Sequence, residues 1–269
     1  MDGEATAMRV TYRAHGGNRV YWNKRWDAIP ADAGRLNLER YPGRYADRVV
    51  AMTRGRILEA GCGAGRVLLH YHGRGREIVG MDFVPAILRK IRMGAPNVPL
   101  AAGDVLALPF ADRSFSAVLA FGLYHNLERG LDDALDETCR VLERGGVLCA
   151  SLRADNLQNR IGDWLAARRS EGARQFHKAN YTLGEIRAAL RRAGFRVERV
   201  EFVENMPFLY KFAAFRHRSH RRFDEHVARA EGYRLSPLGR SIQSALIALF
   251  PAAFCNIFVV TAVAEAKPA

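Results

Sequence analysis

The chain has 269 residues, 49% of them apolar, and 41 Lys and Arg against 28 Asp and Glu give a formal net charge of 41 − 28 = +13. This composition excludes a disordered chain, and the length suits one large domain or one domain with a sizeable insertion. The first residues lack the apolar run of a secretory signal, which predicts a cytoplasmic protein. The four cysteines lie far apart without a C-x-x-C pair, which predicts neither a metal site nor a disulfide framework.

The positive charge consists mostly of arginine and is spread along the whole chain. Such a charge attracts polyanions in general, both nucleic acid and anionic lipid, and does not select between them. No RNA-binding module accompanies it. A nucleic-acid substrate is therefore the less favoured alternative.

Strand-like and helix-like stretches alternate after a different N-terminal segment. Residues 1–54 are aromatic and basic, with Gly and Pro interruptions, and predict a cap of short helices and loops without strands. Thr182 and Glu185 have the spacing of a helix capping box. The predicted strands are 56–60, 77–81, 98–101, 116–121 and 146–151, and the predicted helices begin at Pro85 or cover 131–143 and 182–193. This order predicts an α/β fold with a mainly parallel sheet covered on both faces.

The last third of the chain predicts two more strands and an insertion. The strands, 196–203 and 256–263, both fit a sheet edge, and residues 206–253 between them predict a helical insertion. Residues 241–264 are long enough to span a bilayer. Their polar residues, Pro251 and β-branched second half instead favour a helix followed by a buried strand.

A glycine-rich turn, Glu59-Ala60-Gly61-Cys62-Gly63-Ala64-Gly65, stands where the first of these strands ends and a helix begins. Glycines at such a turn allow positive φ and let a ligand approach the main chain closely. The dinucleotide fingerprint G-x-G-x-x-G/A would need Gly or Ala at position 66, where this chain has Arg66. The turn is therefore G-x-G-x-G.

Two carboxylates follow the next strands, Asp82 at the end of the second and Asp104 at the end of the third. The carboxyl ends of parallel strands face the ligand crevice, where a carboxylate can accept hydrogen bonds from ribose hydroxyls or from an adenine amine. Each Asp alone also fits a solvated loop or a helix cap. Together, behind a glycine turn, they predict an adenosine site.

The segments ILEAGCGAG, VGMDFVP, AAGDVLALPFADRSFSAVLAFGLYHNL, VLERGGVLCAS and NYTLGEIRAALRRAGFRVERV follow one another within residues 55–204. In this order they resemble the class I S-adenosylmethionine-dependent methyltransferases, especially the group with the ubiquinone and menaquinone biosynthesis enzymes. The resemblance implies a Rossmann-like doubly wound sheet of seven strands whose last strand is antiparallel. It also implies S-adenosylmethionine as cofactor and no metal. The domain division that follows is a cap at 1–54, the core at 55–205, a helical insertion or lid at 206–253, and the closing strand and tail at 254–269.

The same resemblance implies which residues surround the cofactor. The turn and the strand ends would line it from the methionyl end through the ribose to the adenine. The residues expected there are Phe121, Glu59, Gly61, Cys62, Gly63, Asp82, Phe83, Asp104 and Val105. Trp22 and Trp26 resemble the aromatic segment that covers the cofactor in many of these enzymes, although they could equally pack one helix face onto the domain.

Methyl transfer from a sulfonium is an in-line displacement, for which the protein mainly aligns the two reactants in a dry site. An acceptor hydroxyl or protonated amine must also lose a proton, and His125, expected at the crevice mouth, is the candidate base. Tyr124 beside it, together with Trp22 and Trp26, is expected to contact the acceptor. A histidine that only orders its loop is the open alternative.

Residues 206–253 are expected to select the acceptor. From 206 to 240 there are 8 Lys and Arg and 3 Asp and Glu, beside several aromatic residues. An apolar helix with a cationic flank predicts a lid over a small or lipid-like acceptor, contacted by Phe208 and Phe212, or peripheral membrane contact through 206–223. An insertion whose Phe residues only build its own core is the alternative. An RNA methyltransferase, or a non-catalytic cofactor-binding or membrane-associated partner protein, remain the other functions; the oligomeric state carries no sequence signal.

Overall fold

The computed structural model describes residues 8–13, 18–28, 36–168, 175–220, 222 and 232–265. Residues 221 and 223 of the cationic segment 216–223 lie outside the described residues, and so do residues 224–231. The tail 266–269 lies outside them as well. The elements in chain order are β1 (Arg9–Arg13), α1 (Asn18–Ala28), α2 (Gly43–Met52), β2 (Ile57–Ala60), α3 (Arg66–His72), β3 (Ile78–Asp82), α4 (Pro85–Gly94), β4 (Leu100–Ala102), β5 (Phe115–Ala120), α5 (Leu131–Val141), β6 (Leu142–Arg153), α6 (Leu157–Ala167), β7 (Gln175–Asn180), α7 (Leu183–Arg192), β8 (Phe195–Val203), α8 (Pro237–Leu249), α9 (Pro251–Phe254) and β9 (Ile257–Ala264).

Seven strands form one sheet in the order β4-β3-β2-β5-β6-β9-β8. The pairs among β2 to β6 are parallel, whereas β9 is antiparallel to both β6 and β8. The predicted fold class, with an antiparallel last strand, is confirmed. The prediction of two edge strands is wrong for β9, which lies inside the sheet. Its continuous apolar run is the pattern of a strand covered on both faces, while the alternating β8 forms the edge.

Alternate residues of each central strand face two different core layers, as the twofold period of a strand requires. Ile57 and Ile78 belong to the layer built with α2, α3 and α4. Leu58 and Val79 belong to the layer built with α5 and α7. The helix predicted at 182–193 begins with the expected capping box, in which Thr182 and Glu185 bond each other's backbone N–H groups. Both layers leave the carboxyl ends of β2 to β6 free to form a site.

The N-terminal cap contains a strand, so the prediction of helices and loops alone is wrong. β1 pairs antiparallel with β7 in a separate two-stranded sheet, and the Thr11 hydroxyl donates to the carbonyl of Lys178 at 2.9 Å. Each strand is short and largely polar, and only their pairing across more than 160 residues stabilises them. This small sheet lies against the 3₁₀ turn Tyr124–Asn126, beside the carboxyl ends of β5 and β6.

The insertion differs from an apolar helix followed by a cationic flank. Residues 206–220 form three short 3₁₀ turns, at Phe208–Lys211, Ala213–Phe215 and Arg218–His220, and only then does α8 follow. Within the described ranges, no helix has both the length and the apolar character needed to cross a membrane. The stretch 241–264 consists of the rest of α8, the short α9 and β9, which confirms the prediction of a helix followed by a buried strand.

Candidate active site

The glycine turn between β2 and α3 forms a cradle that only glycine permits. Gly61, Gly63 and Gly65 have φ values of +69°, +51° and +79°, in the left-handed region. A Cβ at Gly63 would lie 2.6 Å from the ring of Trp26, and one at Gly61 would lie 3.0 Å from a methyl of Leu123. The turn therefore keeps its backbone N–H groups close to the space under these side chains.

Asp82 binds the turn from the end of the neighbouring strand. One carboxylate oxygen accepts the N–H of Gly63 at 2.9 Å and the other accepts the N–H of Val84 at 3.0 Å. Its side chain is almost fully buried, and this burial raises the pKa of the carboxyl, partly offset by those backbone hydrogen bonds. The carboxylate is held in one orientation, with lone pairs left for a ligand.

Glu59 is a second buried carboxyl, at the end of β2. It accepts the N–H of Leu68 in α3 at 2.7 Å, and burial raises its pKa from 4.5 to about 8. Neither Glu59 nor Asp82 forms an ion pair with a Lys, Arg or His of the described chain. Glu59 therefore keeps its proton at neutral pH for most of the time, and a cation bound beside it would favour its ionised form.

Two tryptophans of α1 cover this cradle. The rings of Trp22 and Trp26 stack with centroids 5.5 Å apart, and Trp26 packs on Gly63. Lys90 of α4 donates to the carbonyl of Trp26 at 2.7 Å and ties the end of α1 to the domain. Both interpretations of these residues fit this packing, because Trp22 and Trp26 pack on the domain and Trp26 does so at the turn itself, so their role as a cover over the cofactor stays a prediction.

The residues expected at the adenine lie at the carboxyl ends of β3, β4 and β5. Phe83 and Phe121 are half-buried at the margin of the α2–α4 layer. Val105 is buried, whereas Asp104 is exposed and accepts the N–H of Leu106 at 3.0 Å. Asp104 thus stabilises its own turn and keeps one carboxylate oxygen toward solvent. Contact of Phe83, Asp104 and Val105 with an adenine stays a prediction, and so does the position of Phe121 near the methionyl end.

Tyr41, which sequence reasoning missed, connects the cap to the same edge of the sheet. Its hydroxyl lies 2.8 Å from the hydroxyl of Ser151, which also accepts the N–H of Gly122 at 2.8 Å. The Tyr41 ring meets Phe121 edge-on at 5.8 Å, and burial raises the pKa of Tyr41 to about 12. The local sequence shows only that Tyr41 is an aromatic residue before Pro42. That pattern does not predict a contact with Ser151 near the end of β6.

His125 lies in the 3₁₀ turn between these strand ends and β7. It is not at the crevice mouth as predicted, since only 6% of it is exposed, and its Nδ1 has no partner in the described structure. Burial, together with the charges of Lys178 and Arg153, holds its pKa well below the usual range. His125 is therefore a neutral imidazole at neutral pH, with one ring nitrogen left unpaired.

A family model described as a methyltransferase domain matches residues 57–146. A demethylmenaquinone methyltransferase from Renibacterium salmoninarum is 38% identical over 110 residues, which are 40% of this chain and 46% of that protein. A malonyl-acyl-carrier-protein O-methyltransferase from Enterobacter lignolyticus is 30% identical over 130 residues, 48% of this chain and 51% of that protein. The solved structure of an S-adenosylmethionine-dependent methyltransferase from Mesorhizobium loti shares the fold, with a TM-score of 0.55 and 18% identity over 82% of this chain and 96% of that one.

Residues 57–146 match a methyltransferase domain, and the chain has the fold of the class I S-adenosylmethionine-dependent methyltransferases. It spans about half the length of the curated relatives it matches. S-adenosylmethionine is the cofactor of these enzymes, and the residues fit it, since the buried carboxylate of Asp82, held in one orientation by two backbone N–H groups, suits ribose hydroxyls. In the described part of the chain, no three His, Cys, Asp or Glu side chains come together as a metal-binding group.

Of three other residues predicted at this methyltransferase site, Tyr124 and Phe208 do not contribute to it as expected, and for Cys62 only the backbone was expected there. Tyr124 is wrong as an acceptor contact, because its ring is fully buried in the layer of α5 and its hydroxyl lies 2.8 Å from that of Thr138. Phe208 is buried in the core of the insertion, where its ring meets those of Phe212 and Phe254 at 5.5 and 5.4 Å. This packing favours the alternative in which the insertion builds its own core. Cys62 is buried beside the turn, and burial raises the pKa of its thiol, so only its backbone is offered to a ligand.

Proposed function

We propose that this protein transfers a methyl group from S-adenosylmethionine to a small-molecule acceptor. The observation that carries the proposal is the cradle of Gly61 and Gly63, bordered by the buried carboxyls of Glu59 and Asp82 and covered by Trp26. Relatives that act on a demethylmenaquinone and on a malonyl-acyl-carrier protein support a non-nucleic-acid acceptor.

Each wall of the cradle has a separate role in this proposal. Asp82 would accept the ribose hydroxyls, since its orientation is set by two backbone N–H groups. Glu59 would face the positive charge of the methionyl end. The stacked Trp22 and Trp26 would exclude water, and the ring face next to Gly63 favours a nearby cation. When bound, S-adenosylmethionine supplies a methyl group on a cationic sulfur, which is an activated leaving group.

The acceptor would enter between the ends of β5 and β6, where Tyr41, Ser151 and His125 lie. These residues would hold the acceptor in line with the methyl donor and keep water away from both. A protic acceptor also loses a proton, and His125 would be its base only if the turn that buries it opened to the acceptor, since its Nδ1 is buried and its pKa is held well below the usual range. The cations of Lys178 and Arg153 near His125 favour an acceptor atom that ionises readily, such as a phenolic or enolic oxygen.

Calorimetry with S-adenosylmethionine and S-adenosylhomocysteine tests the cofactor step, with Asp82→Ala as the variant and Asp132→Ala, on the exposed surface of α5, as the matched control. We expect binding by the wild type and the control, and a loss of at least about tenfold in the variant, as for a hydrogen-bonded charged group. No binding by the wild type would refute the proposal.

Transfer of a labelled methyl group to fractionated cell extract then tests the reaction. Label in small molecules or lipids supports the proposal. Label in RNA, with affinity that falls steeply with salt, would instead identify an RNA methyltransferase. Tight cofactor binding without any labelled product would indicate a non-catalytic partner protein.

A further inference from the structure

The side of α8 that faces solvent has a strip of apolar side chains, and Arg240, Ser241 and Ser244 are exposed alongside it. Leu238, Ile242, Ala245 and Leu249 follow one another at steps of four, three and four residues, which places them on one face of a helix. All four are exposed, Leu238 to 66% and Leu249 to 70%, and Phe250 continues the strip with 57% exposed. We call these five residues the outer face of α8.

Packing of the insertion does not explain this outer face. The opposite side of α8 packs on the core of the insertion through Gly239 and Gln243, which are buried. A Cβ at Gly239 would lie 2.7 Å from the carbonyl oxygen of Phe215, so the helix already approaches its neighbour as closely as its backbone allows. α8 therefore has one apolar side that stabilises the fold and a second that does not.

Within the described part of the insertion, the charged side chains have one sign. The described residues of the insertion between 206 and 253 include no Asp or Glu; their charged side chains are Lys211, Arg216, Arg218, Arg222, Arg234 and Arg240. Three acidic residues of the insertion, at 224, 225 and 231, lie outside the described residues. The segment 206–240 as a whole still has an excess of 8 − 3 = +5.

A second helix of the same layer exposes a related pair. α6 contacts α9, and the side chain of Asn156, which caps α6, donates to the carbonyl of Ala252 at 2.8 Å. Trp164 of α6 is half exposed, and the guanidinium carbon of Arg168 lies 3.7 Å from the centre of its ring. Tryptophan and arginine are typical of surfaces that meet the headgroup region of a bilayer.

We propose that the outer face of α8 docks this protein on the anionic surface of a lipid bilayer. Its apolar side chains would enter the boundary of the acyl chains while the surrounding arginines contact lipid phosphates. A helix of this length, about 20 Å, would lie along the surface. A protein partner would need an apolar strip with acidic groups around it. An anionic bilayer offers an apolar interior for the strip and phosphate groups for the arginines. This surface replaces 206–223 as the expected membrane contact, because that segment buries Phe208.

Vesicle flotation tests the proposal with phosphatidylcholine alone and with a mixture of phosphatidylcholine and phosphatidylglycerol. The variant Ile242→Ser/Leu249→Ser removes apolar surface from the outer face. Met52→Ser/Met93→Ser removes comparable exposed apolar surface from α2 and α4 and is the matched control. Arg218→Gln/Arg240→Gln tests the charge.

We expect the wild type and the control to bind the anionic vesicles and not the neutral ones, and the α8 variant to bind at least about tenfold more weakly. The arginine variant should lose affinity, and added salt should weaken binding of the wild type. Equal flotation of the wild type and the α8 variant would overturn the proposal. So would a dimer in sedimentation that the α8 variant dissociates, without vesicle binding, since the face would then join two copies.

Calorimetry with S-adenosylmethionine on the same α8 variant separates this proposal from the proposed function. Unchanged cofactor binding together with lost flotation assigns the defect to the membrane surface. Cofactor binding without any flotation of the wild type would overturn the docking proposal alone.

Discussion

The buried carboxyl of Glu59 makes the stability of the folded protein depend on pH in a predictable direction. Burial raises the pKa of Glu59 from its ordinary 4.5 to about 8 in the folded protein. The folded chain therefore keeps a proton that the unfolded chain loses above pH 4.5. The stability contributed by neutral Glu59 is complete below that pH and is lost as the pH rises toward about 8.

The variant Glu59→Gln isolates this contribution. Glutamine keeps a carbonyl oxygen for the N–H of Leu68 but has no proton to lose. One pKa unit corresponds to about 1.36 kcal/mol, so the interval 8 − 4.5 = 3.5 gives at most about 5 kcal/mol. Between about pH 5 and pH 8.5, about 4 kcal/mol of this should be lost by the wild type and not by the variant.

Urea unfolding followed by circular dichroism at several pH values measures the difference in unfolding free energy between wild type and Glu59→Gln. Other titrating groups are common to both proteins and cancel. Glu77→Gln, on the exposed end before β3, should follow the wild type at every pH. A difference for Glu59→Gln that stays constant across this range would refute the reasoning, because the carboxyl would then ionise normally when folded. Saturating S-adenosylmethionine should flatten the wild-type curve, because a cation beside Glu59 favours its ionised form.

Three further predictions concern the packing around the site and in the insertion. Gly80→Ala in β3 would place a methyl 2.4 Å from a leucine methyl of α3 and should destabilise the protein by about 1–3 kcal/mol. Gly94→Ala has open space around it and should not destabilise the protein; thermal unfolding of both variants measures the difference. Phe208→Ala should cost about 3–5 kcal/mol, as expected for a buried ring, and an unfolding free energy within about 0.5 kcal/mol of the wild type would show that the insertion has no core of its own. Tyr41→Phe should lower kcat or raise KM at nearly unchanged cofactor affinity. Tyr124→Phe should lower stability by about 1 kcal/mol and leave both kinetic constants unchanged. The reverse outcome would show that the Tyr124 hydroxyl serves the reaction and the Tyr41 hydroxyl only the fold.

The sequence by itself determined the central sheet, the glycine turn and the buried carboxyls at the strand ends. Each of these features depends on residues that are close together along the chain. The alternation of β2, α3, β3 and α4 follows from local hydrophobic periods, and the positions of Glu59 and Asp82 follow from where those strands end. Because parallel strands bring their carboxyl ends to one edge, local patterns were enough to predict that these residues meet.

Only the tertiary structure decided which distant segments complete the site. Tyr41 reaches Ser151 across 110 positions, β1 pairs with β7 across a still longer separation, and the same packing buries His125. In the insertion, the same apolar pattern fits an inward core and an outward face, and the structure assigns Phe208 to the first and Leu249 to the second. A local sequence pattern shows whether a side chain is apolar or polar, but not which residues cover it. The partner that covers it comes from the packing of the whole chain, because burial depends on contacts that no short window contains.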